Sequence, residues 1–301
     1  MTKETKSAFR CGFAGVVGRP NVGKSTLINA LLRRKISITS PKPQTTRHRV
    51  LGIKTTSDAQ IVFVDTPGIN YAEKRALNRY MNRAAHGAIE DVDVILFVVE
   101  AMKWTPQDQR VEERIKASER PTILVLNKVD QVRPRSKLLP FMEEVARQHG
   151  FDEMVPISAR RGENLERLES LIKLRLPQSE RLFPEDMFTD RGQQFVAAEL
   201  IREKLILRLD EEVPYRLSVE IEDMSVRCDV LHVSAIIWVE RPGQKAIVIS
   251  RKGELLKHVG TAARLDMQRL FGQRVDLRLW VKVKDGWSDN DKALAALGYV
   301  D

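Results

Sequence analysis

The run GRPNVGKS at residues 18–25 matches the phosphate-binding pattern G-x-x-x-x-G-K-[ST]. A short apolar run at 13–17 predicts a buried strand before it, and apolar residues at helical spacing over 26–32 predict a helix after it. A strand-to-helix turn of this kind directs several backbone N–H groups and the positive end of a helix dipole at one point, which attracts phosphate. The first part of the chain is therefore expected to fold around the phosphates of a nucleoside triphosphate.

Each residue type in this loop has a chemical role. Gly18 and Gly23 remove side chains where the backbone must approach phosphate oxygens. Lys24 brings a positive charge to the β- and γ-phosphates, and the Ser25 hydroxyl is placed to ligate Mg²⁺. The predicted nucleotide contacts of the loop are Gly18, Asn21, Val22, Gly23, Lys24, Ser25 and Thr26.

A second strand, predicted at 59–64, ends in Asp65-Thr66-Pro67-Gly68. An aspartate at the carboxyl end of a strand is the expected partner of a Mg²⁺-bound water. The Gly68 N–H, free of a side chain, is placed to touch the γ-phosphate and to sense its presence. Asp65, Thr66 and Gly68 are therefore added to the predicted nucleotide contacts.

The guanine base is expected to be read by two further loops. A predicted strand at 122–126 leads into Asn-Lys-Val-Asp at 127–130, and the Asp130 carboxylate can accept two parallel hydrogen bonds from guanine. Adenine lacks both donors, so the carboxylate would stay unpaired, at a cost of roughly several kcal/mol. A strand at 155–157 then leads into a loop where a backbone N–H can meet guanine O6. The predicted base contacts are Asn127, Lys128, Asp130, Ser158 and Ala159, and the predicted ligands are GTP and GDP.

The order of elements predicts the fold class. Helices are expected near 24–34, 75–89, 107–118, 136–149 and 164–175, alternating with the strands above. This alternation indicates an α/β fold with a mostly parallel, doubly wound sheet and with ligand loops at the carboxyl ends of its strands. Every motif described so far lies on such a loop.

The second part of the chain has a different pattern. Between 174 and 191 prolines and charges interrupt the alternation, which indicates a linker. Afterwards the pattern predicts helices at 194–210 and 254–271 and strands at 217–221, 230–240 and 275–284. The last strand alternates, with apolar residues on one face and Arg278, Trp280 and Lys282 on the other. We expect a small α+β domain.

The phosphate loop, the segment Pro-Gln-Thr-Thr-Arg-His-Arg at 43–49, and Asp-Thr-Pro-Gly followed by Ile69 together resemble the Era family of the translation-factor-related GTPases. The resemblance extends over nearly the whole chain. It implies that 36–49 is the first switch and that one threonine completes the Mg²⁺ shell. Thr45 and Thr46 both qualify, and Thr46 is favoured because the ligand threonine directly precedes an arginine in related GTPases. The predicted metal ligands are Ser25, Thr46 and Asp65.

The residue that follows Asp-Thr-Pro-Gly bears on catalysis. Ras-like enzymes position the attacking water with a glutamine where this chain has Ile69, which cannot bond water, so slow intrinsic hydrolysis is expected. In related GTPases an asparagine at the place of Asn21 helps to hold K⁺, and we hypothesise the same here; the alternative is that Asn21 only stabilises the turn. The predicted catalytic residues are Asn21, Lys24, Thr46 and Gly68.

The resemblance also implies a type II KH domain in the second part. Such a domain grips about four nucleotides with a Gly-x-x-Gly loop that opens a helix. Here the loop is Ser250-Arg251-Lys252-Gly253, so a serine replaces the first glycine. A single-glycine loop alone would also fit an ordinary strand-to-helix turn. The predicted RNA contacts are Ser250, Arg251, Lys252, Gly253 and Lys257.

Charge is distributed unevenly. Residues 181–301 hold 19 of the 50 Lys and Arg and 20 of the 41 Asp and Glu, so residues 1–180 hold 31 basic and 21 acidic residues. The basic excess lies in the predicted GTPase domain, although an RNA reader is expected to carry a basic footprint. Either the basic residues of the second part concentrate near the loop at 250–257, or the GTPase domain also touches RNA phosphates. Ordinary solubility is the remaining explanation.

Composition favours a cytoplasmic protein. The two cysteines, Cys11 and Cys228, have no metal-binding spacing, and the charged start followed by the phosphate loop is not a cleavable signal. The most apolar stretch, 92–99, contains Asp93 and is far too short to span a bilayer. The resemblance implies peripheral association with the inner membrane, and no feature indicates an obligate dimer, so a monomer is expected.

We therefore expect a GTPase domain at 8–177, a linker at 178–190, a KH-like RNA-binding domain at 191–285 and a tail at 286–301. The resemblance implies a switch that engages the small ribosomal subunit near the 3′ end of its RNA and assists 30S assembly. The alternative is a GTP-controlled scaffold whose second domain binds protein rather than RNA, which Ser250 and the low charge of that domain keep open.

Overall fold

A computed structural model describes residues 9–42, 45–68, 76–151 and 153–299. The described residues form two units. The first takes the described parts of Met1–Ser37, Thr46–Tyr71 and Met81–Asp190, and the second takes those of Ile38–Thr45, Ala72–Tyr80 and Arg191–Asp301. Two short segments of the first half thus belong to the second unit, a grouping that sequence patterns do not indicate. In the part of the chain that the structure describes, no helix combines the length and the apolar character needed to cross a bilayer.

The elements of the first half alternate as expected. In chain order they are β1 (Arg10–Val17), α1 (Lys24–Leu32), β2 (Val50–Thr55), β3 (Ala59–Asp65), α2 (Ala76–Glu90), β4 (Val94–Glu100), α3 (Pro106–Ala117), β5 (Thr122–Asn127), α4 (Leu138–His149), β6 (Met154–Pro156) and α5 (Leu165–Arg175). Each predicted helix has a counterpart within one or two residues. Residue 75, the predicted start of the second helix, lies outside the described residues.

The first unit contains a six-stranded sheet with the strand order β2-β3-β1-β4-β5-β6. Strand β2 is antiparallel to β3, and all other neighbouring strands are parallel. Because β1 lies between β3 and β4, the order reverses beside the phosphate loop that follows β1. Ligands of open α/β sheets bind at such a reversal, beyond the carboxyl ends of the strands. The predicted α/β class with a mostly parallel sheet is confirmed.

Both faces of this sheet are buried. In β4 the side chains of Ile95, Phe97 and Val99 pack in a cluster with residues of α3 and α4. The alternate residues Leu96 and Val98 are equally inaccessible on the other face. A parallel strand covered on both faces reads as a continuous apolar run, which is the pattern that the sequence shows at 94–99.

The stretch 178–190, predicted as a linker, is hydrogen-bonded to the first unit. The Gln60 side chain is fully buried; its Oε1 accepts bonds from the N–H groups of Leu182 and Phe183, and its Nε2 donates to the Phe183 carbonyl. Further along, the Ile53 N–H donates to the Phe188 carbonyl at 3.0 Å. The segment is therefore hydrogen-bonded to strands β2 and β3 of the sheet.

The second half of the chain contributes α6 (Gln193–Arg208), β7 (Leu217–Arg227), β8 (Val230–Val239), α7 (Pro242–Ile249), α8 (Glu254–Phe271), β9 (Arg274–Val283) and α9 (Asp291–Ala296). The three strands form one sheet in the order β7-β8-β9, with β7 antiparallel and β9 parallel to β8. Residues of α6, α8 and the inner face of the sheet form one hydrophobic cluster. This is the expected α+β unit.

Two features of the second unit differ from the sequence-based expectation. Helix α7 was not predicted, so the loop at 250–253 joins two helices rather than a strand and a helix. The predicted tail at 286–301 contains α9, and its Trp287 is fully buried and stacked on Tyr299 at 6.2 Å between ring centroids. The apolar run that becomes α7 is too short for its periodicity to distinguish helix from strand.

Helix α6 offers a matched test of the second hydrophobic cluster. Leu205 is fully buried in it, whereas Leu207 is 45% exposed two residues later. We expect Leu205→Ala to lower the free energy of unfolding by about 2–5 kcal/mol through lost contacts and a cavity. Leu207→Ala should change it by less than about 0.5 kcal/mol. Hydrogen exchange of α6 and α8 in the full chain measures both values, and equal protection in the two variants would contradict this packing.

Candidate functional site

The phosphate loop keeps its shape because two glycines stand where no side chain fits. Gly18 has φ +152° and a Cβ there would lie 2.4 Å from the Val98 carbonyl oxygen. Gly23 has φ +99°, and its Cβ would lie 2.4 Å from Asn127 Nδ2. Both the backbone conformation and the close neighbours exclude larger residues. The loop is thereby held between β4 and the end of β5.

Lys24, the first residue of α1, lies beneath this loop. Its side chain is buried, and its ammonium donates to the carbonyl oxygens of Gly18 at 2.9 Å and Arg19 at 3.1 Å. Burial lowers the pKa of Lys24 to about 8, although the negative charge of Asp65 opposes this shift. The buried ammonium carries a positive charge that is only partly compensated. Phosphate oxygens beside it would supply the missing negative charge, as expected for a lysine of this motif.

Three oxygen-bearing side chains meet near the start of α1. Ser25 Oγ lies 2.7 Å from Thr46 Oγ1. The two carboxylate oxygens of Asp65 are buried, and within the described residues neither has a hydrogen-bond partner. Burial raises the pKa of Asp65, an effect that the nearby hydroxyls of Ser37 and Ser25 only partly offset. An unpaired carboxylate beside two hydroxyls is a donor set that suits Mg²⁺, which prefers oxygen ligands.

The two adjacent threonines face different partners. Thr46 Oγ1 approaches Ser25, whereas Thr45 Oγ1 donates to the Lys42 carbonyl at 2.7 Å. The geometry therefore favours Thr46 as the metal ligand, and that role stays a prediction. Pro43 and Gln44, which also belong to the predicted switch, lie outside the described residues, as does Ile69.

The loop after β3 is fixed on the phosphate loop. Thr66 is buried, and its hydroxyl donates to the Val16 carbonyl at 3.0 Å, so its side chain serves the fold. A Cβ on Gly68 would lie 2.9 Å from three atoms of Pro20. Gly68 therefore sits against the phosphate loop, which is the position required if its N–H is to touch a γ-phosphate.

Asn127 joins the phosphate loop to the base-reading loop. Its side chain is buried, and its Nδ2 donates to the Val22 carbonyl at 2.8 Å. Its Oδ1 accepts the Ala159 N–H at 3.0 Å and the Lys128 N–H at 2.8 Å. The sequence predicts a base contact here, and the structure shows in addition that this side chain holds three segments together.

The Asp130 carboxylate is partly exposed and is oriented by Ser158, whose Oγ donates to Asp130 Oδ1 at 2.7 Å. The same Ser158 Oγ accepts the N–H of Arg161 at 3.1 Å, which fixes the loop around it. An acceptor held in one orientation at the mouth of the site can receive the paired donors of a guanine edge.

A charged network beneath the phosphate loop was not found from the sequence. Glu100 Oε2 lies 2.7 Å from Lys128 Nζ and 3.6 Å from Arg19 Nη2. Arg19 Nε in turn lies 3.1 Å from an oxygen of Asp108, which is fully buried. Burial pushes the pKa of Glu100 up, but hydrogen bonds from Lys103 and Lys128 outweigh this effect and hold it below its usual value. The network links the phosphate loop to the base-reading lysine.

A signal for Glu100 was present. It ends β4, just as Asp65 ends β3 and Asn127 ends β5. Because the carboxyl ends of parallel strands meet at one edge, a polar residue in this place belongs with the site. The apolar run before Glu100 predicts a buried strand, but no role was predicted for Glu100 itself.

Asn21 adopts a left-handed backbone with φ +65°, and its side chain is exposed. Among the described residues its side chain has no hydrogen-bond partner, so it does not tie the turn together through its amide. Asparagine tolerates this conformation better than most residues do. The side chain is thus free to contact a ligand at the phosphate loop.

Helix α6 anchors the segment 38–45 that precedes Thr46. The Thr39 N–H donates to Glu203 Oε1 at 3.0 Å, and Arg202 Nη2 donates to the Thr45 carbonyl at 2.5 Å. Arg202 is fully buried and also pairs with Glu199 at 2.5 Å. A buried, ion-paired arginine therefore holds the residue next to the predicted metal ligand.

The loop at 250–253 presents its basic residues to solvent. Arg251 and Lys252 are exposed, as is Lys257 on α8, and within the described residues none of the three side chains has an ionic partner. Ser250 Oγ accepts the Leu255 N–H at 2.9 Å and so caps the start of α8. A Cβ on Gly253 would meet nothing within 4 Å, so this side of the loop is open.

Comparison with known proteins assigns a family model to each unit. Residues 13–128 match the model described as "50S ribosome-binding GTPase", and residues 212–288 match that described as "KH domain". The proteins named GTPase Era from Marinobacter nauticus and Azotobacter vinelandii are each 52% identical over 301 residues. The aligned region covers all of this chain and 99% and 100% of those proteins.

Two solved structures match over 97% of this chain and 100% of their own, at 41% identity. One is a variant of Era from Aquifex aeolicus bound to GDP and AlF4⁻, with a TM-score of 0.95. The other is Era in complex with MgGDPNP and nucleotides 1506–1542 of 16S ribosomal RNA, with a TM-score of 0.94. The likeness therefore includes both units.

The placement of Asp130 leads to a test of base recognition. We expect Asp130→Asn to lower GTP affinity by at least about tenfold and to raise XTP affinity, because the amide donates where the carboxylate accepted and xanthine presents an oxygen in place of the amine. Binding of both nucleotides to the purified protein measures the change. Glu143→Gln, at an exposed carboxylate of α4 in the same unit, is the control and should change neither affinity. Unchanged GTP affinity in Asp130→Asn would remove this residue from the base site.

Proposed function

The chain belongs to the Era family of GTPases, and on this basis we propose that it is a GTP-hydrolysing switch that binds the RNA of the small ribosomal subunit and assists 30S assembly. The GTPase activity follows from the family and from the phosphate loop. The RNA-binding part of the proposal goes beyond this GTPase activity. The observation that carries it is the exposed pair Arg251-Lys252 on an open loop between two helices, in a unit that matches the KH model.

Different residues of the first unit bind the phosphates, the base and the metal ion of the nucleotide. Lys24 and the amides of the loop at 18–25 hold the phosphates, and Asp130 with the loop at 158–159 holds the base. Ser25, Thr46 and Asp65 would hold Mg²⁺, which when bound neutralises charge on the phosphates. Gly68, packed against Pro20, would offer its N–H to the γ-phosphate. These assignments rest on the convergence of the side chains at one edge of the sheet.

Hydrolysis needs a positioned water and a group that compensates charge as the phosphate is transferred, and Ile69 stands directly after Gly68 in place of a water-positioning glutamine. We propose that Asn21 helps to hold K⁺ at the phosphate loop. The support is its exposed side chain within the phosphate loop, which forms no hydrogen bond within the described residues. A cation there would act in the manner of an arginine finger.

Potassium dependence can be tested with a substitution that leaves the backbone in place. Wild-type protein is expected to hydrolyse GTP at least about tenfold faster in K⁺ than in Na⁺ at equal ionic strength. Asn21→Gly removes the amide while it favours φ +65°, so this variant should show equal slow rates in both salts when they are compared at saturating GTP. Equal rates for the wild-type protein in the two salts would contradict the role of Asn21.

The RNA half is supported by the second unit. Helix α8 begins immediately after the loop, so its N-terminal N–H groups face the place where a phosphate backbone would lie. Arg251 and Lys252 in the loop and Lys257 in the first turn of α8 supply exposed positive charge. A KH loop of this construction grips about four nucleotides. The 3′ region of the small-subunit RNA is the proposed target because a related protein was crystallised with nucleotides 1506–1542 of 16S ribosomal RNA.

RNA binding is tested by reversing one charge of the loop. Lys252→Glu should weaken binding of a single-stranded oligoribonucleotide from the 3′ end of small-subunit RNA by at least about tenfold, with a shallower salt dependence. Lys292→Glu, at an exposed residue of α9, makes the same charge change outside the loop and should have little effect. Cross-linking in cell extract then separates the alternatives: recovery of protein partners without ribosomal RNA would favour the scaffold.

Peripheral contact with the inner membrane and the monomeric state stay expectations of the family resemblance.

A further inference from the structure

A basic cavity lies on the first unit beside the base-reading loop. It has a volume of about 600 Å³ and is open to solvent between the end of α1, strand β2 and the start of α5. Its charged lining residues are Arg33, Lys54, Arg160, Arg167, Glu166 and Glu169. Of the predicted nucleotide contacts, Ala159 alone also lines this cavity. The proposed function assigns no role to it.

Most of the positive charge in this cavity is uncompensated. Arg33, Arg160 and Arg167 are exposed, and no carboxylate in the described part of the chain pairs with any of them. The three guanidinium groups come from three different segments: the end of α1, the loop after β6, and the first turns of α5. Charges that gather from separate segments onto one concave surface create a positive potential there.

The acidic residues of the lining do not cancel this charge. Glu169 lies 2.5 Å from Lys54 Nζ and 3.7 Å from Lys173 Nζ, so it is already shared by two cations. Lys54 also donates to the Leu31 carbonyl at 2.8 Å. Glu166 alone remains as an exposed carboxylate at the rim. The lining therefore keeps a net positive charge carried by arginines.

Helix α5 adds to the same field. It has 11 residues, and its N-terminal residue positions, 164–167, line the cavity. The Asn164 side chain does not cap this helix, because its amide donates instead to the Pro156 carbonyl at 2.7 Å. The first N–H groups of α5 therefore have no side-chain acceptor from the N-cap residue, and they favour an anion nearby.

We propose that this cavity binds phosphate groups of an RNA backbone, as a second RNA contact besides the loop at 250–253. The inference rests on the proposed RNA-binding function and specifies where else the RNA is held. It accounts for the charge distribution: the basic excess lies in residues 1–180, whereas 181–301 is almost neutral. Phosphate contacts of this kind position an RNA and add affinity without reading its sequence.

An RNA fits this surface better than an acidic protein does. Protein interfaces are centred on aromatic and large apolar anchors. The lining of this cavity contains no aromatic residue, and its apolar side chains are those of two alanines and two leucines, of which Leu31 is buried. Arginine forks spaced over several segments match the repeated phosphates of a nucleic acid.

The test measures binding of the full chain to two oligoribonucleotides from the 3′ region of small-subunit RNA, about 10 and about 40 nucleotides long, over a range of salt concentrations. Arg33→Glu/Arg167→Glu should weaken binding of the longer RNA by at least about tenfold and reduce the salt slope by about 2, with a smaller loss for the shorter RNA. Glu166→Gln should change affinity in the opposite direction and strengthen it. GTP hydrolysis and thermal unfolding confirm that the variants are folded, and the milder Arg33→Gln/Arg167→Gln pair serves if the reversal impairs folding.

The matched control is Lys137→Glu/Arg147→Glu, which makes the same charge change at exposed residues in and just before α4. If both pairs weaken RNA binding equally, net charge alone explains the effect and the cavity proposal is overturned. An unchanged affinity in the cavity variant, with a loss in Lys252→Glu, would also overturn it while the RNA function stands. If neither the cavity variant nor Lys252→Glu affects binding, the RNA function itself fails. Unchanged RNA binding together with loss of a protein partner would assign the cavity to an acidic protein.

Discussion

The nucleotide site depends on one buried amide. Asn127 donates to the Val22 carbonyl of the phosphate loop and accepts the Ala159 N–H of the base-reading loop. Asparagine is suited to this place because its side chain offers a donor and an acceptor on one planar group. Both bonds are buried, so losing either partner would leave an unsatisfied polar atom at a cost of about 1–3 kcal/mol. The distance between the phosphate and base pockets is therefore set by this side chain.

Charge balance beneath the loop is the second constraint. Lys24 is buried and Asp65 is buried with unpaired oxygens, so their local charges are only partly compensated. Below them, Arg19 lies between Glu100 and the fully buried Asp108. The charges of Arg19, Glu100 and Asp108 are paired with one another. Those of Lys24 and Asp65, at the nucleotide site, are left without full partners. Residues with strongly perturbed environments concentrate at functional sites for this reason.

The contiguous motifs could be predicted from the sequence because each places its residues on one loop after one strand. The contacts among Glu100, Arg19 and Asp108 could not, since they depend on β4 lying beside β1 although α1, β2, β3 and α2 separate these strands in the chain. The docking of 178–190 on the sheet depends on Gln60, a single buried amide whose partners lie more than 120 residues away in sequence. Helix α7 was missed because its eight residues are too few to show a helical period.

The serine in the RNA loop shows how a departure from a motif can keep its geometry. Ser250 has φ 63° and ψ 178°, a region that residues other than glycine occupy only at a cost of about 1–3 kcal/mol. The backbone thus follows the path expected of the missing glycine. The hydroxyl offsets part of this cost, because it accepts the Leu255 N–H, a donor in the first turn of α8 that the N-cap residue Gly253 has no side chain to satisfy. Ser250 Oγ accepts this bond through a lone pair and keeps its own proton. The hydroxyl can therefore donate that proton to a phosphate in the loop. The serine therefore retains the backbone path of the motif and adds a donor where the glycine has none.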